Sequence, residues 1–381
     1  MAAVPEGSVE RVPLDAGQGP IHPLARQTLM AALEAGWADP RRLHSEGRRA
    51  AHLLDSAREV LADGLGARPD ELTFHPTGTH ALLTGLRGIR RARERVGSAL
   101  LTSAVDQAAV LREPDVDALP VDGLGRLDPA EVSTRLAEGA VGALALAEAN
   151  LEIGTRQPMT ALVESAREHD TPLLVDATAS WGRLPLTPGA GAYAADAATV
   201  AGPPLGLLVT RTGTRLRRGP LSQPERGLEP APPFVPILLA AAEAWQQHAD
   251  EAERDAREAT ELIDRIRAAA SAIPDVQVVG DPSERLPHVV TFSVLYVDGE
   301  TMVHALDRQG FAVASGSACT SDIVEPSHVL AAIGAITHGN VRVTLPLRSV
   351  APDRVHQVER FCAALPEAVA AVRTQLGTDH L

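Results

Sequence analysis

Between about residue 25 and residue 215 the chain alternates Ala- and Leu-rich stretches of helical period with short apolar runs, and no other feature limits its possible folds as much. Residues 45–63 (SEGRRAAHLLDSAREVLAD) carry the helical pattern. The runs Ala99–Leu101, Val141–Leu146, Pro172–Val175 and Leu205–Thr210 are each short enough to be a buried parallel strand. Repeated strand-then-helix units are the mark of a doubly wound α/β layer.

Beyond that region the texture changes. Residues 219–236 (GPLSQPERGLEPAPPFVP) are rich in Pro and read as a loop. A long helical segment with a charged middle is predicted from about Ile237 to Ala272. The run VVTFSVLYV then reads as a strand, followed by a helix, an SGSACTS loop and a further strand, VRVTL. These pieces make a smaller α+β unit. With 381 residues, 45% of them hydrophobic, the chain can bury a full core and form more than one compact unit. Aromatic residues are only 3%, so that core is built mainly from Ala, Leu and Val.

Charge narrows the partners. A formal net charge of -14 argues against nucleic acid and anionic membranes. All 35 of the Lys+Arg residues are arginine, so the chain contains no lysine. Its basic side chains other than histidine are permanently charged guanidinium groups, which do not act as amine nucleophiles. Two cysteines, Cys319 and Cys362, make no disulfide framework and suit a reducing compartment. The first residues lack an apolar signal region and no apolar run approaches membrane-spanning length, so a soluble cytoplasmic protein is expected.

Four constellations are candidates for chemistry. In LTFHPTGTHALLT (72–84) a strand enters a helix through a small-residue turn, where free N–H groups at Gly78 and the Thr79 hydroxyl suit a phosphate. The alternative is that Thr77 or Thr79 only caps the helix. Asn150 follows a buried strand. Asp176 ends a fully apolar strand, where a carboxylate is costly unless it meets a partner. It suits either a pyridine nitrogen or the bracing of a loop. Cys319 lies in a Gly/Ser/Ala loop with no bulky packing to do, which favours exposure and reactivity. Cys362 sits in a helical pattern and is assigned to packing, and no metal site is expected.

Taken together these motifs resemble the cysteine desulfurases of the class V aminotransferase group, fold-type I pyridoxal phosphate enzymes. The resemblance runs through LD at 14–15, DPxxxHxxG at 39–47, NxEIGxxQP at 150–158 and VDAT at 175–178. It continues through ERGL at 225–228, YVDGE at 296–300, SGSACTS at 315–321, EPSxVL at 325–330 and VRVTL at 341–345. It implies a large domain with a mostly parallel seven-stranded sheet (16–245) and a small α+β domain from 1–15 and 246–381 that carries the cysteine loop. It also implies that Cys319 receives the substrate sulfur as a persulfide, that Arg342 holds the substrate carboxylate with Asn150 nearby, and that Thr79, Gly78, Asp176 and Gln107 are the cofactor positions.

The chain departs from that family at several of these positions. The family's Schiff-base lysine belongs to a segment before a Gly-Pro turn, where this chain reads ADAATVAGPPLGLLVTR (195–211) with neither His nor Lys. Gln107 stands where the family stacks a histidine on the ring, Ala179 where a glutamine meets the ring hydroxyl, and Pro232 near where a partner-subunit threonine reaches the phosphate. General acid/base help of the kind lysine gives is worth roughly 10²–10⁴-fold in rate. The expectation is therefore a companion subunit or persulfide relay through Cys319, without ordinary desulfurase activity. No covalently bound cofactor is expected, and pyridoxal phosphate only weakly or non-covalently. The alternatives are an active enzyme using pyridoxal phosphate without its own lysine, or a structural scaffold. A homodimer or a heterodimer with an active desulfurase is expected, together with a sulfur-acceptor protein.

Overall fold

The main sheet has seven strands, and its central ones are short apolar runs that must be covered on both faces. The computed structural model describes residues 11–15, 19–217, 234–316 and 326–377; Cys319, the ERGL segment and Pro232 lie outside the described residues. In chain order the first elements are β1 (Val12–Pro13), α1 (Pro23–Glu34), α2 (Ser45–Asp63), β2 (Leu72–His75) and α3 (Gly78–Ala92). Next come β3 (Ala99–Ser103), α4 (Ala108–Leu111), β4 (Val116–Leu119), α5 (Pro129–Ala137), β5 (Val141–Ala147) and α6 (Met159–Glu168). They are followed by β6 (Leu173–Asp176), β7 (Ala192–Asp196), β8 (Gly206–Thr210), α7 (Val235–Ala249) and α8 (Ala252–Ser271). The last are β9 (Val276–Val278), β10 (Val289–Val294), α9 (Gly299–Arg308), β11 (Phe311–Ala312), α10 (His328–Ala332), β12 (Asn340–Thr344) and α11 (Arg354–Leu376).

The main sheet has the order β2-β8-β7-β6-β5-β3-β4. Pairs from β4 through β7 are parallel, and β8 runs antiparallel to both β7 and β2. The expected mixed α/β architecture with a mostly parallel seven-stranded sheet is therefore present. Every residue of β5 and β6 is buried, as the apolar runs require of central strands. Two strands were not legible as such. β7 (AYAAD) is too poor in β-branched residues to signal a strand, and β4 (VDAL) is too polar.

The predicted helix from Ile237 to Ala272 is two helices, with a break at Asp250 and Glu251. The cause is a change of core. Leu238, Ala241 and Ala242 of α7 pack with the main sheet. Leu262, Ile263 and Ile266 of α8 pack instead with Val12, Phe292, Val343, Phe361 and Leu365. That second core is closed by the antiparallel sheet β12-β10-β9 and by the parallel pair β1-β11. Among the described residues no helix is long and apolar enough to cross a membrane.

A buried charge cluster joins the segment after β6 to α8 and α11. Arg354 is fully buried and donates to Asp255 Oδ1 at 2.8 Å, to Glu258 Oε1 at 2.8 Å and to the Pro346 carbonyl at 2.9 Å. Arg183 reaches Asp255 Oδ2 at 3.4 Å. Removing the shared carboxylate strands two buried guanidinium groups, so Asp255→Ala is expected to cost about 3–5 kcal/mol in urea unfolding. A loss below about 1 kcal/mol contradicts the role assigned to this cluster.

Two histidines adjoin the same cluster. Burial lowers the pKa of both His248 and His288, and the nearby Arg183 lowers each further. A group whose pKa is depressed on folding contributes stability that is present above its unfolded value and lost as pH falls. Melting temperatures are accordingly expected to drop as pH falls below about 6.5, and His288→Gln to flatten that drop.

Candidate functional site

The carboxyl ends of β2, β3, β5, β6 and β7 meet at one edge of the sheet, and each supplies a polar group there. Asp176, the last residue of β6, is 5% exposed. Its Oδ1 accepts from the Thr178 backbone N–H at 2.9 Å and the Thr178 hydroxyl at 2.6 Å. Its Oδ2 accepts from Gln107 Nε2 at 2.6 Å. Burial pushes the Asp176 pKa up, and these three hydrogen bonds oppose the rise.

Gln107 thus takes a direct part in the site, on the turn after β3. Its amide also donates to Thr178 Oγ1 at 3.0 Å, and its carbonyl oxygen accepts from the Thr79 hydroxyl at 3.2 Å. The turn is fixed by Asp106, whose carboxylate accepts from the Thr102 hydroxyl and from the N–H groups of Ser103 and Ala147. Burial raises its pKa to about 6, with the charge of Asp176 adding to the effect.

At the start of α3, Thr77 caps the helix by accepting from the His80 N–H at 3.2 Å. The Gly78 N–H donates at 2.6 Å to Asp196, which ends β7. A Cβ on Gly78 would lie 2.6 Å from Thr178 Cγ2 and 2.9 Å from Asp196 Cβ, so the close approach of α3 to both turns requires glycine. Sequence reasoning passed over Asp196, Thr178 and Asp106. Asp196 had a usable signal, since like Asp176 it is a carboxylate that closes an apolar run.

Asn150 is 7% exposed and braces its own loop, with Nδ2 donating to the Val105 carbonyl and Oδ1 accepting from the N–H groups of Glu152 and Ile153. Arg342 lies on β12, opposite Thr291 of β10. Its guanidinium is held loosely, with Asp15 Oδ1 at 4.0 Å, and its buried Nε has no hydrogen-bond partner among the described residues. The structure therefore brings Asp176, Gln107, Gly78 and Thr79 into one contact network. Asn150 is joined to it through the Val105–Gln107 turn, and Arg342 lies outside the network on the other sheet. Cys319 lies outside the described residues; the root of its loop is placed by Gly316, whose N–H donates to Asn340 Oδ1.

The ring-nitrogen end of this arrangement fits pyridoxal phosphate, because Asp176 is a buried carboxylate held by three donors. At the phosphate end Gly78 and Thr79 stand at a helix start, which favours an anion, while Asp196 places a negative charge there already.

The model of the aminotransferase class-V family matches residues 25–197 and 223–353, a match that breaks across the lysine-free turn. The cysteine desulfurase IscS of Dictyoglomus turgidum is 31% identical over 354 residues, covering 88% of this chain and 89% of that protein. The IscS-like cysteine desulfurase of Mycobacterium tuberculosis is 32% identical over 386 residues, covering 93% and 95%. Among solved structures a NifS-like protein superposes with a TM-score of 0.82 at 22% identity, covering 94% of this chain and 99% of that one, which is a likeness of fold. These findings correct the expectation of no covalently bound cofactor and only weak pyridoxal phosphate. That expectation rested on the missing lysine, whereas the family is one that uses pyridoxal phosphate. The chain belongs to the class-V aminotransferase family, among its cysteine desulfurases.

Proposed function

We propose that the protein is an active class-V enzyme of sulfur metabolism that takes sulfur from cysteine, using pyridoxal phosphate without a lysine of its own. The observation that carries this reading is the buried Asp176 carboxylate, held by Gln107 and Thr178 at the end of β6. When bound, pyridoxal phosphate supplies a sink for the electron pair released at a substrate carbon. Asp176 would hold the proton at the pyridine nitrogen, and Gln107 and Thr178 would keep its oxygens oriented. Gly78 and Thr79 would meet the phosphate at the start of α3. Arg342, whose guanidinium is only loosely paired, would receive the substrate carboxylate. Cys319 would accept the sulfur. The likeness to cysteine desulfurases over most of the chain supports this reading over an inactive companion. A homodimer in the cytoplasm, handing sulfur to an acceptor protein, completes the proposal, with 16–245 as the large domain.

A second reading, a persulfide relay fed by another desulfurase, is favoured by the absence of lysine. One experiment separates the two. The purified protein is incubated with pyridoxal phosphate and cysteine, then alanine and the mass of the Cys319 peptide are measured. Alanine release together with a sulfur adduct on Cys319, both lost in Cys319→Ser, supports the enzyme. A sulfur adduct that forms only when a second desulfurase is added supports the relay and overturns the proposal.

The phosphate end makes a separate prediction. Asp196→Ser removes a negative charge from the start of α3 while keeping a hydrogen-bonding side chain. Affinity for pyridoxal phosphate, read from its absorbance, is expected to rise by about fivefold, since a charge at a helix start is worth roughly 1 kcal/mol. Unchanged or weaker binding contradicts the placement of the phosphate there.

A further inference from the structure

Beside the cofactor network, Glu152 presents a carboxylate oxygen that no donor holds. The residue sits in the loop after β5, where its N–H donates to Asn150 Oδ1 at 2.8 Å. Its carbonyl accepts from the Thr291 hydroxyl at 2.5 Å, which ties the loop to β10. Glu152 is thus pinned between the Asn150 loop and the smaller sheet. Its Oε1 is buried, yet among the described residues it has no hydrogen-bond partner. A buried carboxylate oxygen is costly without a donor, so this placement calls for one that arrives from outside.

The same face of the sheet carries the opposite charge. Thr291 lies directly across from Arg342, and Ser293 across from Asn340, so these four side chains share one face of β10 and β12. Ala314 bridges to Arg342, and the Gly316 N–H donates to Asn340 Oδ1. A Cβ on Gly316 would lie 2.6 Å from Glu152 Oε1 and 3.0 Å from Asn340 Oδ1, so the carboxylate reaches this face beside Asn340. Arg342 follows two residues on, roughly 7 Å along the strand. Its buried Nε also lacks a partner among the described residues, and its ion pair with Asp15 is stretched to 4.0 Å. A carboxylate and a guanidinium, each with an open buried atom, therefore stand near one another without pairing. A simple cation or a simple anion would satisfy only one of them. A free α-amino acid carries both charges on adjacent carbons, and a hydrogen bond of about 2.8 Å at each end lets it reach both.

We propose that Glu152 receives the α-ammonium group of a free amino acid whose carboxylate meets Arg342, so that this face selects zwitterions. The choice of cysteine as that amino acid rests on the proposed function, while its binding is read without turnover. The full-length protein, with no pyridoxal phosphate added, is titrated calorimetrically with L-cysteine and with 3-mercaptopropionate, which has the same thiol and carboxylate but no amine. The wild type is expected to bind cysteine at least about tenfold more tightly. Glu152→Gln keeps the shape and removes the charge, and is expected to bring that preference down to about twofold or less. Its melting temperature is expected to be unchanged or higher, because Oε1 has no donor to lose among the described residues. Should it melt lower, Gly316→Ala presses the same carboxylate aside and gives the same reading. Arg342→Gln is expected to lose both ligands. No preference for cysteine in the wild type, a preference that survives in folded Glu152→Gln or Gly316→Ala, or binding of both ligands by Arg342→Gln overturns the proposal. Selective binding without any alanine release supports this site and counts against the proposed function alone.

Discussion

Burying the carboxylate of Asp176 at the end of an apolar strand is the constraint around which the site is arranged. A carboxylate in that position needs donors, and the neighbouring turns supply them. Thr178 gives its N–H and its hydroxyl, and Gln107 reaches across from the turn after β3. Asp106 holds that turn, and Gln107 in turn accepts from Thr79 at the start of α3. Two strand ends and the start of one helix are thus tied, directly or through Gln107, to a single pair of oxygens.

A second carboxylate, Asp255, connects this site to the rest of the molecule. Thr199 donates to the Thr178 carbonyl, and Arg183 donates to the Thr199 carbonyl before reaching Asp255 on α8. From there Arg354 carries the connection into the second core. The turn that lacks lysine is therefore braced on both sides, by Asp196 accepting from Gly78 and Ala198 and by this chain of contacts.

How far the sequence could be read depended on what each residue signals locally. The apolar runs of β3, β5, β6 and β8 announced buried strands, and α2 was legible over its full length because its period is unbroken. β7 was hidden by alanine, and the α7–α8 break was hidden because a change of core leaves no mark in helical propensity. Asp176 was legible as a carboxylate out of place. Its partners were not, since Gln107 is 69 residues away and only the sheet order brings them together. Asn150 was marked by its motif, yet its side chain is spent on its own loop and on the Val105 carbonyl of the turn after β3.

On the proposed function, Asp176 makes this site a seat for pyridoxal phosphate. The most direct measurement is an equilibrium titration of the purified protein with pyridoxal phosphate, followed by absorbance, alongside Asp176→Ala. Saturable binding to the wild type, with an affinity lowered about 100-fold or more in Asp176→Ala, is the expected result, since losing a buried charged partner costs about 3 kcal/mol. Equal binding by both proteins, or no saturable binding by either, would contradict the account.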